Sequence, residues 1–584
     1  MILLAACHTG APPAPPPLEP VNQEPAPQVE EARPAVSVAF PDDSMVSYFA
    51  EGTAAEALKH YRRQQYPQAI AAAERAAAEG QGLALELSIL QAVLEQESGL
   101  WESAANRFAE AAEKDVTLAD YLHFEAARSF ARAGRGSATK HARLVGAGSA
   151  WAAESEFLLA EVARAQGQEA KAVLHYQDYL ARESAAFEDE ARFRLGETLL
   201  AQGETARGKA QWRKLVLSAP VSDWSAMART RDSDLEEDLS AAEYMQRGMG
   251  YFHAMRNLQS EADFASALSS GKLSAEQRCQ ALFHRAKSVY KERAYRRSAP
   301  LFEPAIAACK ESGNVNYEVK SAYQAGLAFS RSKKRERAAA YYKHVERYPE
   351  HSYADDARLR QAEEYDDLGE NKKVTELLST LPEMYPTGDM RAEALWRLAR
   401  RAYQAKDYEE AIEWLNKQID LVPIEINWWA EGQAHYWRGR SLARLGNKSE
   451  AAKSYRQCIR GYPLTYYSMQ AFNRLREGWP KQYQEALAEV QGESSWRYQP
   501  RARPVYDSKA FATALRLARL GLSKPARKQL ASIGFEVPQA RAAVVDPERL
   551  DWLLSTSRLL DLAGDYEQSH WIGRWHSTDY RRSW

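Results

Sequence analysis

The sequence has almost no net charge, no long apolar run and few cysteines. Its 584 residues include 79 acidic and 77 basic side chains, which nearly cancel. A chain without a net basic field does not attract nucleic acid, so we expect no nucleic acid among its partners. No apolar run approaches the ~20 residues that a membrane-spanning helix needs. With 45% apolar and 27% charged residues, the main body is expected to be globular and soluble.

The four cysteines and twelve histidines show no spacing that is typical of a metal site. None of the cysteines is spaced C-x-x-C, and the histidines form no H-E-x-x-H pair. The sequence therefore predicts no metal and no cofactor, although ligands that are distant in the sequence could still converge.

Cys279 and Cys309 lie fifteen residues on either side of a turn near Ala294. Two antiparallel helices would place them at the same level. In an oxidising compartment they would form a disulfide, provided that their Cβ atoms face one another. Burial as two free thiols is the alternative, and it is the state that the sequence favours.

The amino end, residues 1–44, is predicted to be a lipidation signal followed by a tether. Leu4-Ala5-Ala6-Cys7 matches the Leu-small-small-Cys pattern of a lipobox, in which the cysteine is acylated; the alternative is a chance match. Only six residues precede Cys7, so we expect the natural start to lie upstream. Residues 11–34 are rich in Pro, Glu and Ala and cannot form a core. These features predict a periplasmic protein held by lipid at the outer membrane.

From Met45 onward, helical patterns alternate with short turns, and no strand-like alternation competes. Many segments match the 34-residue tetratricopeptide template of two antiparallel helices. In the clearest, residues 436–463, Gly439 lets the first helix approach its neighbour, and Tyr455 fills the gap. Pro463 ends the unit because proline cannot continue a helix. Such pairs must stack to bury their apolar faces, which predicts an all-α solenoid shaped as a superhelix, horseshoe or ring.

Two breaks divide this array. Residues 221–240 are polar and irregular, which predicts a loop or linker. It would separate a first array at 45–220 from a second array at 241–491. A connector rich in Gly, Pro and Arg then opens a small helical terminal module at 492–584.

Residues 348–365 (YPEHSYADDARLRQAEEY) have the Tyr-Pro and alanine spacing of periplasmic tetratricopeptide proteins, and together with two later stretches they resemble the soluble lytic murein transglycosylase family. Residues 436–446 and 462–475 read YWRGRSLARLG and YPLTYYSMQAFNRL, similar to the family's Tyr-Trp-x-x-Arg helix and Pro-Leu-x-Tyr-Tyr turn. Residues 559–584 are similar to its last helices before the catalytic domain. The resemblance implies a ring or horseshoe of helices that leads to a linker and then to a lysozyme-like domain. That domain cleaves peptidoglycan glycan strands.

Glu493, in the stretch QGESSW, is similar to the catalytic glutamate of that family, which acts first as an acid and then as a base. The family places Gly-Leu-Met-Gln about a dozen residues later, but no Gly-Leu-x-Gln follows Glu493. Only 91 residues remain after it, fewer than the roughly 100–200 of a typical domain. We therefore reject Glu493 as a catalyst, and the sequence predicts no other catalytic residue.

Two functions remain open. The first is the non-catalytic helical region of an envelope lytic transglycosylase, whose catalytic domain is truncated or separately encoded. It would position peptidoglycan glycan strands or envelope proteins. The second is a complete tetratricopeptide lipoprotein that acts as a scaffold, because the concave grooves of such arrays bind extended peptides or partner helices.

Overall fold

The computed structural model describes residues 37–80, 83–182, 186–425, 427–491 and 498–577. Cys7 and Glu493 lie outside these ranges. Within them the chain forms α-helices joined by turns and four short 3-10 segments, without a β-strand. None of the helices in these ranges is long and apolar enough to cross a membrane. The prediction of an all-α solenoid of tetratricopeptide-like helix pairs is confirmed.

The helices follow one another as antiparallel pairs. Those of the first array are α1 (Gly52–Arg62), α2 (Tyr66–Ala78), α3 (Ala84–Glu97), α4 (Trp101–Lys114), α5 (Ala119–Arg132), α6 (Ser137–Arg143), α7 (Ala152–Ala165), α8 (Glu169–Leu180), α9 (Glu188–Ala201) and α10 (Thr205–Ser218). A single helix, α11 (Asp223–Arg231), follows. The second array comprises α12 (Ala241–His253), α13 (Asn257–Ser269), α14 (Ala275–Lys291), α15 (Tyr295–Ser298), α16 (Phe302–Ser312), α17 (Val315–Arg331), α18 (Arg335–Val345), α19 (Ala354–Asp367), α20 (Asn371–Met384), α21 (Arg391–Gln404), α22 (Tyr408–Leu421), α23 (Gln433–Arg444), α24 (Lys448–Gly461), α25 (Tyr466–Gly478) and α26 (Pro480–Gln491). The terminal module contains α27 (Lys509–Arg519), α28 (Ser523–Ala531), α29 (Pro547–Ala563) and α30 (Tyr566–His576).

The segment 221–240, predicted to be a loop, is more ordered than its composition indicates. Ser222 accepts a hydrogen bond from the backbone N–H of Ser225 and so caps α11. Leu235 is buried, and Arg213 of α10 donates to its carbonyl over 3.0 Å. A buried leucine and a side-chain cap are enough to fix a polar segment against the preceding pair.

The predicted tether extends too far. Phe40 is only 8% exposed, and its ring meets Tyr506 edge-on at 5.2 Å. The backbone N–H of Arg503 donates to the carbonyl of Val38 over 2.7 Å. Residues 37–44 therefore belong to the terminal module, because Phe40 completes an aromatic core that the helices of this module do not fill alone.

The terminal module closes the solenoid into a ring. On one side, Leu517 and Leu520 of the α27 region share a buried core with Leu58 and Phe108 of the first array. On the other side, Trp575 of α30 packs edge-on against Trp428 (5.6 Å between ring centres), which precedes α23. A chain whose last module contacts both arrays leaves no open end in the described ranges.

Cys279 of α14 and Cys309 of α16 are joined as a disulfide, with Cα atoms 4.6 Å apart. The structure thus contains the bonded state and not the free thiols that we favoured. The short α15 turns the chain back on itself, so that α14 and α16 run antiparallel and place both residues at one level.

Candidate partner-binding groove

The first helices of successive pairs form the inner wall of the second array. Helices α12, α14 and α17 contact one another in order, whereas the second helices α13, α16 and α18 lie farther apart. A solenoid curves toward the side on which its helices approach most closely, so the concave surface is built from first helices. We call the part formed by α12, α14 and α17 the inner groove.

Two lysines of α14 span this inner groove. Lys287 donates from Nζ to Oε1 of Gln324 on α17 over 2.6 Å. Lys291, one turn later, donates to the carbonyl of Phe252 on α12, and its Nζ lies 3.3 Å from the centre of the Phe252 ring. The ring of Tyr290 lies 5.0 Å from Nζ of Lys287. Each lysine therefore bridges two first helices and contacts an aromatic face.

The positive charges of Lys287 and Lys291 are not balanced by their surroundings. In the described ranges their Nζ atoms donate to an amide oxygen and to a backbone carbonyl, neither of which carries a negative charge. Burial lowers the pKa of Lys287 to about 8, and the charge of Lys291 acts in the same direction. Burial also lowers the pKa of Lys291. An anion bound in the groove would raise the pKa of both lysines again, because it favours their charged form.

A histidine lies beneath these lysines in an apolar cage. The ring of His284 is stacked on Phe264 at 5.4 Å and meets Phe252 and Phe283 edge-on. Burial lowers its pKa to about 3, with a further contribution from His253. The neutral imidazole contacts the hydroxyl of Tyr317 through Nε2 over 3.2 Å. It is therefore a structural support for the groove wall at neutral pH and adds no charge.

A carboxylate group at the start of α19 is the one described cluster with metal-ligand spacing. Oxygens of Asp355, Asp356 and Asp389 lie within 4.8 Å of one another. Burial raises the pKa of Asp356 to about 7, and the charge of Asp389 adds to the effect. Asp355 accepts from the backbone N–H of Met390 over 3.1 Å. A carboxyl group that retains its proton is uncharged, so the close approach of these three side chains needs no metal ion between them.

The groove lysines were not recognised in the sequence, which carries no distinguishing signal for them. Lys287 and Lys291 are one turn apart on α14, and no acidic residue lies three or four positions from Lys287. Lys310 on the outer helix α16 lacks such a neighbour too, so a missing i, i+4 partner does not distinguish the two faces. Only the packing of α14 between α12 and α17 shows that this face is the inner one.

The tetratricopeptide repeat family matches residues 433–465, which include the whole of α23 and α24. No curated protein matches the chain. Among solved structures, the type IV pilus biogenesis factor PilW is similar at 16% identity over 39% of this chain and 97% of its own, with a TM-score of 0.28. The C-terminal part of a TPR repeat-containing protein from Cytophaga hutchinsonii is similar at 14% identity over 48% and 98%, with a TM-score of 0.33. PilF of Pseudomonas aeruginosa is similar at 17% identity over 40% and 92%, with a TM-score of 0.24. The chain is thus a tetratricopeptide-like helical repeat protein, and the comparisons lend no support to a transglycosylase origin.

Proposed function

We propose that this protein is an interaction scaffold whose inner groove binds an extended acidic segment of a partner protein. The observation that carries this proposal is the pair Lys287 and Lys291, two half-buried cations on the concave wall without a carboxylate partner among the described residues. Half-buried positive charge that no internal carboxylate offsets is electrostatically unfavourable until an anion arrives.

The spacing of the two lysines fits an extended peptide. Residues four apart on a helix are separated by about 6 Å along the axis. Alternate side chains of an extended chain recur at about 6.6 Å on one face. Two acidic residues at alternate positions of a partner would therefore meet Lys287 and Lys291 together. The rings of Tyr290 and Phe252 beside them offer apolar contact for the intervening segment.

The proposal is tested by fluorescence anisotropy with a labelled peptide of alternating Glu and Ala residues. The double variant Lys287→Gln/Lys291→Gln should weaken binding about tenfold, since loss of two half-buried ion pairs costs roughly 1.4 kcal/mol. The matched control is Lys310→Gln/Lys343→Gln, which removes the same charge from the exposed outer helices α16 and α18.

Equal weakening in both double variants would mean that peptide binding depends only on the net charge of the protein. The inner groove would then not be the binding site. A peptide of alternating Gln and Ala that binds as tightly as the acidic one would also contradict the proposal, because the affinity would then not depend on the lysines.

A second candidate is the helical region of a lytic transglycosylase, lipid-anchored at Cys7 in the periplasm, which positions peptidoglycan strands. Ring closure by the terminal module supports it, because the family resemblance implies a ring or horseshoe that leads to a linker. It is tested by sedimenting the protein with purified sacculi and analysing the soluble products by mass spectrometry. Co-sedimentation without 1,6-anhydromuropeptides is the expected result. No binding to sacculi would remove this candidate and leave the protein scaffold unaffected.

A further inference from the structure

Two histidines of the first array meet although they lie on different helices. Nδ1 of His123 on α5 is 3.2 Å from Nδ1 of His141 on α6. The short turn between α5 and α6 folds α6 back against α5, so the two imidazoles face one another across the pair. This contact is far from the inner groove in the sequence and serves neither of the proposed functions.

The two rings are held in place by their surroundings. His141 is 8% exposed, and its ring is stacked on Phe130 with 5.4 Å between ring centres. His123 is half-buried on the neighbouring helix. Burial lowers the pKa of both imidazoles, so both are neutral at neutral pH. Neutral imidazole is the form that binds a metal ion, because the ligating nitrogen must be free of a proton.

We propose that His123 and His141 bind a divalent transition-metal ion, Zn²⁺ or Cu²⁺, through their Nδ1 atoms. Bonds of about 2.0–2.1 Å to two nitrogens 3.2 Å apart enclose an angle of roughly 100°. This angle lies between the square and tetrahedral values of these ions. Each ring must turn so that its Nδ1 lone pair points at the shared ion, because in the hydrogen-bonded contact the lone pair of one ring points at the other ring. Imidazole is a ligand that Zn²⁺ and Cu²⁺ both accept.

The charges around the pair include two carboxylates and one lysine. Asp120 lies one turn before His123 on α5, and Glu113 lies on α4; both raise the pKa of His123. Lys140 on α6 acts in the opposite direction on both histidines. The two carboxylates favour a cation at His123, whereas at His141 only Glu113 acts in this direction, against Lys140. Water would complete the coordination, because no third His, Cys, Asp or Glu of the described residues lies within 4.8 Å of both imidazoles.

The test uses the full chain and the metal alone. Isothermal titration with Zn²⁺ in chelator-free buffer should show a site that weakens at least tenfold in His123→Gln and in His141→Gln. The matched control is His60→Gln, which removes a partly exposed imidazole that hydrogen-bonds to Gln65 near the end of α1. Circular dichroism of each variant establishes that it is folded, and His123→Gln, at a half-buried position, serves if His141→Gln does not fold.

Copper provides an independent measurement. The electron paramagnetic resonance spectrum of the Cu²⁺-loaded chain should show coupling to two imidazole nitrogens, and this coupling should be reduced in His123→Gln. Equal Zn²⁺ binding by the wild type, both pair variants and the control would overturn the proposal. The same holds for a Cu²⁺ spectrum that is unchanged in His123→Gln: the contact would then be an N–H···N hydrogen bond between neutral rings.

Discussion

Arg516 of α27 donates from Nε to the carboxylate of Asp115, which lies 401 residues earlier at the end of α4. The same guanidinium donates to Glu86 over 3.1 Å and to the hydroxyl of Tyr48 over 2.7 Å. Asp115 is 5% exposed. One arginine of the terminal module thus satisfies two acidic residues of the first array, and this contact helps to close the ring.

Replacing Arg516 with Met should destabilise the protein. Asp115 would remain buried without its cationic partner, and breaking a half-buried pair in this way costs about 2–3 kcal/mol. The backbone N–H groups of Thr117 and Leu118 still donate to Asp115, which keeps the loss below that of a wholly isolated charge. Urea unfolding followed by circular dichroism measures the effect as a lower midpoint.

Arg75→Met is the control for the loss of an arginine. Arg75 pairs with Glu56 at the surface, where the two side chains are 58% and 61% exposed. Such pairs contribute about 0–1 kcal/mol, so the urea midpoint should hardly move. If Arg516→Met unfolds at the same urea concentration as Arg75→Met, the ring is closed by the apolar contacts alone.

Gly439→Ala should also lower stability. A Cβ atom at Gly439 would lie 2.6 Å from Cε1 of Tyr455, whose ring is fully buried between the helices of the pair. Forcing apart a packed contact costs about 1–3 kcal/mol. Gly461→Ala is the control, because a Cβ there meets nothing within 4 Å and alanine favours the helix by up to about 1 kcal/mol. The unfolding midpoint should therefore fall in Gly439→Ala and rise in Gly461→Ala. A lower midpoint in both variants would show that the protein tolerates no alanine at either glycine, whatever space surrounds it.

Local features of the fold were predictable, and distant ones were not. Gly439 and Tyr455 lie sixteen residues apart, and the structure places them in contact as the repeat pattern predicts. The contact of Arg516 with Asp115 depends on the sum of small rotations between all the intervening pairs, which no local pattern records. For the same reason Phe40 was assigned to a tether, since its aromatic partners lie near the other end of the chain.

His284→Phe should make the protein less sensitive to acid. Unfolded histidine takes up a proton near pH 6.5, whereas burial holds the pKa of His284 at about 3. The unfolded state therefore binds more protons below pH 6.5, and stability falls as the pH drops from there toward 3. Between pH 7.5 and 5 this single group accounts for a loss of about 2 kcal/mol. Urea unfolding at both pH values should show a smaller difference in the variant.

His60→Gln is the comparison for this acid effect, because His60 is only partly buried on α1 and lies outside the aromatic cage. This variant keeps the buried His284, so its stability difference between pH 7.5 and 5 should stay closer to that of the wild type than the difference in His284→Phe does. A wild-type pH dependence in His284→Phe would show that the imidazole takes up a proton in the folded protein and that the aromatic cage does not exclude charge.

Binding of the acidic peptide should weaken as the pH rises above 8. Burial holds the pKa of Lys287 at about 8 in the free protein, and a bound carboxylate raises it, because the ion pair favours the protonated amine. Affinity is therefore complete only well below pH 8, is already falling near pH 8, and decreases above it by at most tenfold per pH unit. Since the loss of both charges weakens binding about tenfold, loss of the Lys287 charge alone accounts for about threefold, and anisotropy titrations at pH 7.5 and 9.5 should differ by at least about that factor in the wild type. Lys287→Arg keeps its charge throughout this range and should bind with a much smaller pH dependence, the remainder arising from Lys291. If Lys287→Arg loses affinity as steeply as the wild type, the titrating group lies elsewhere and Lys287 does not contact the peptide.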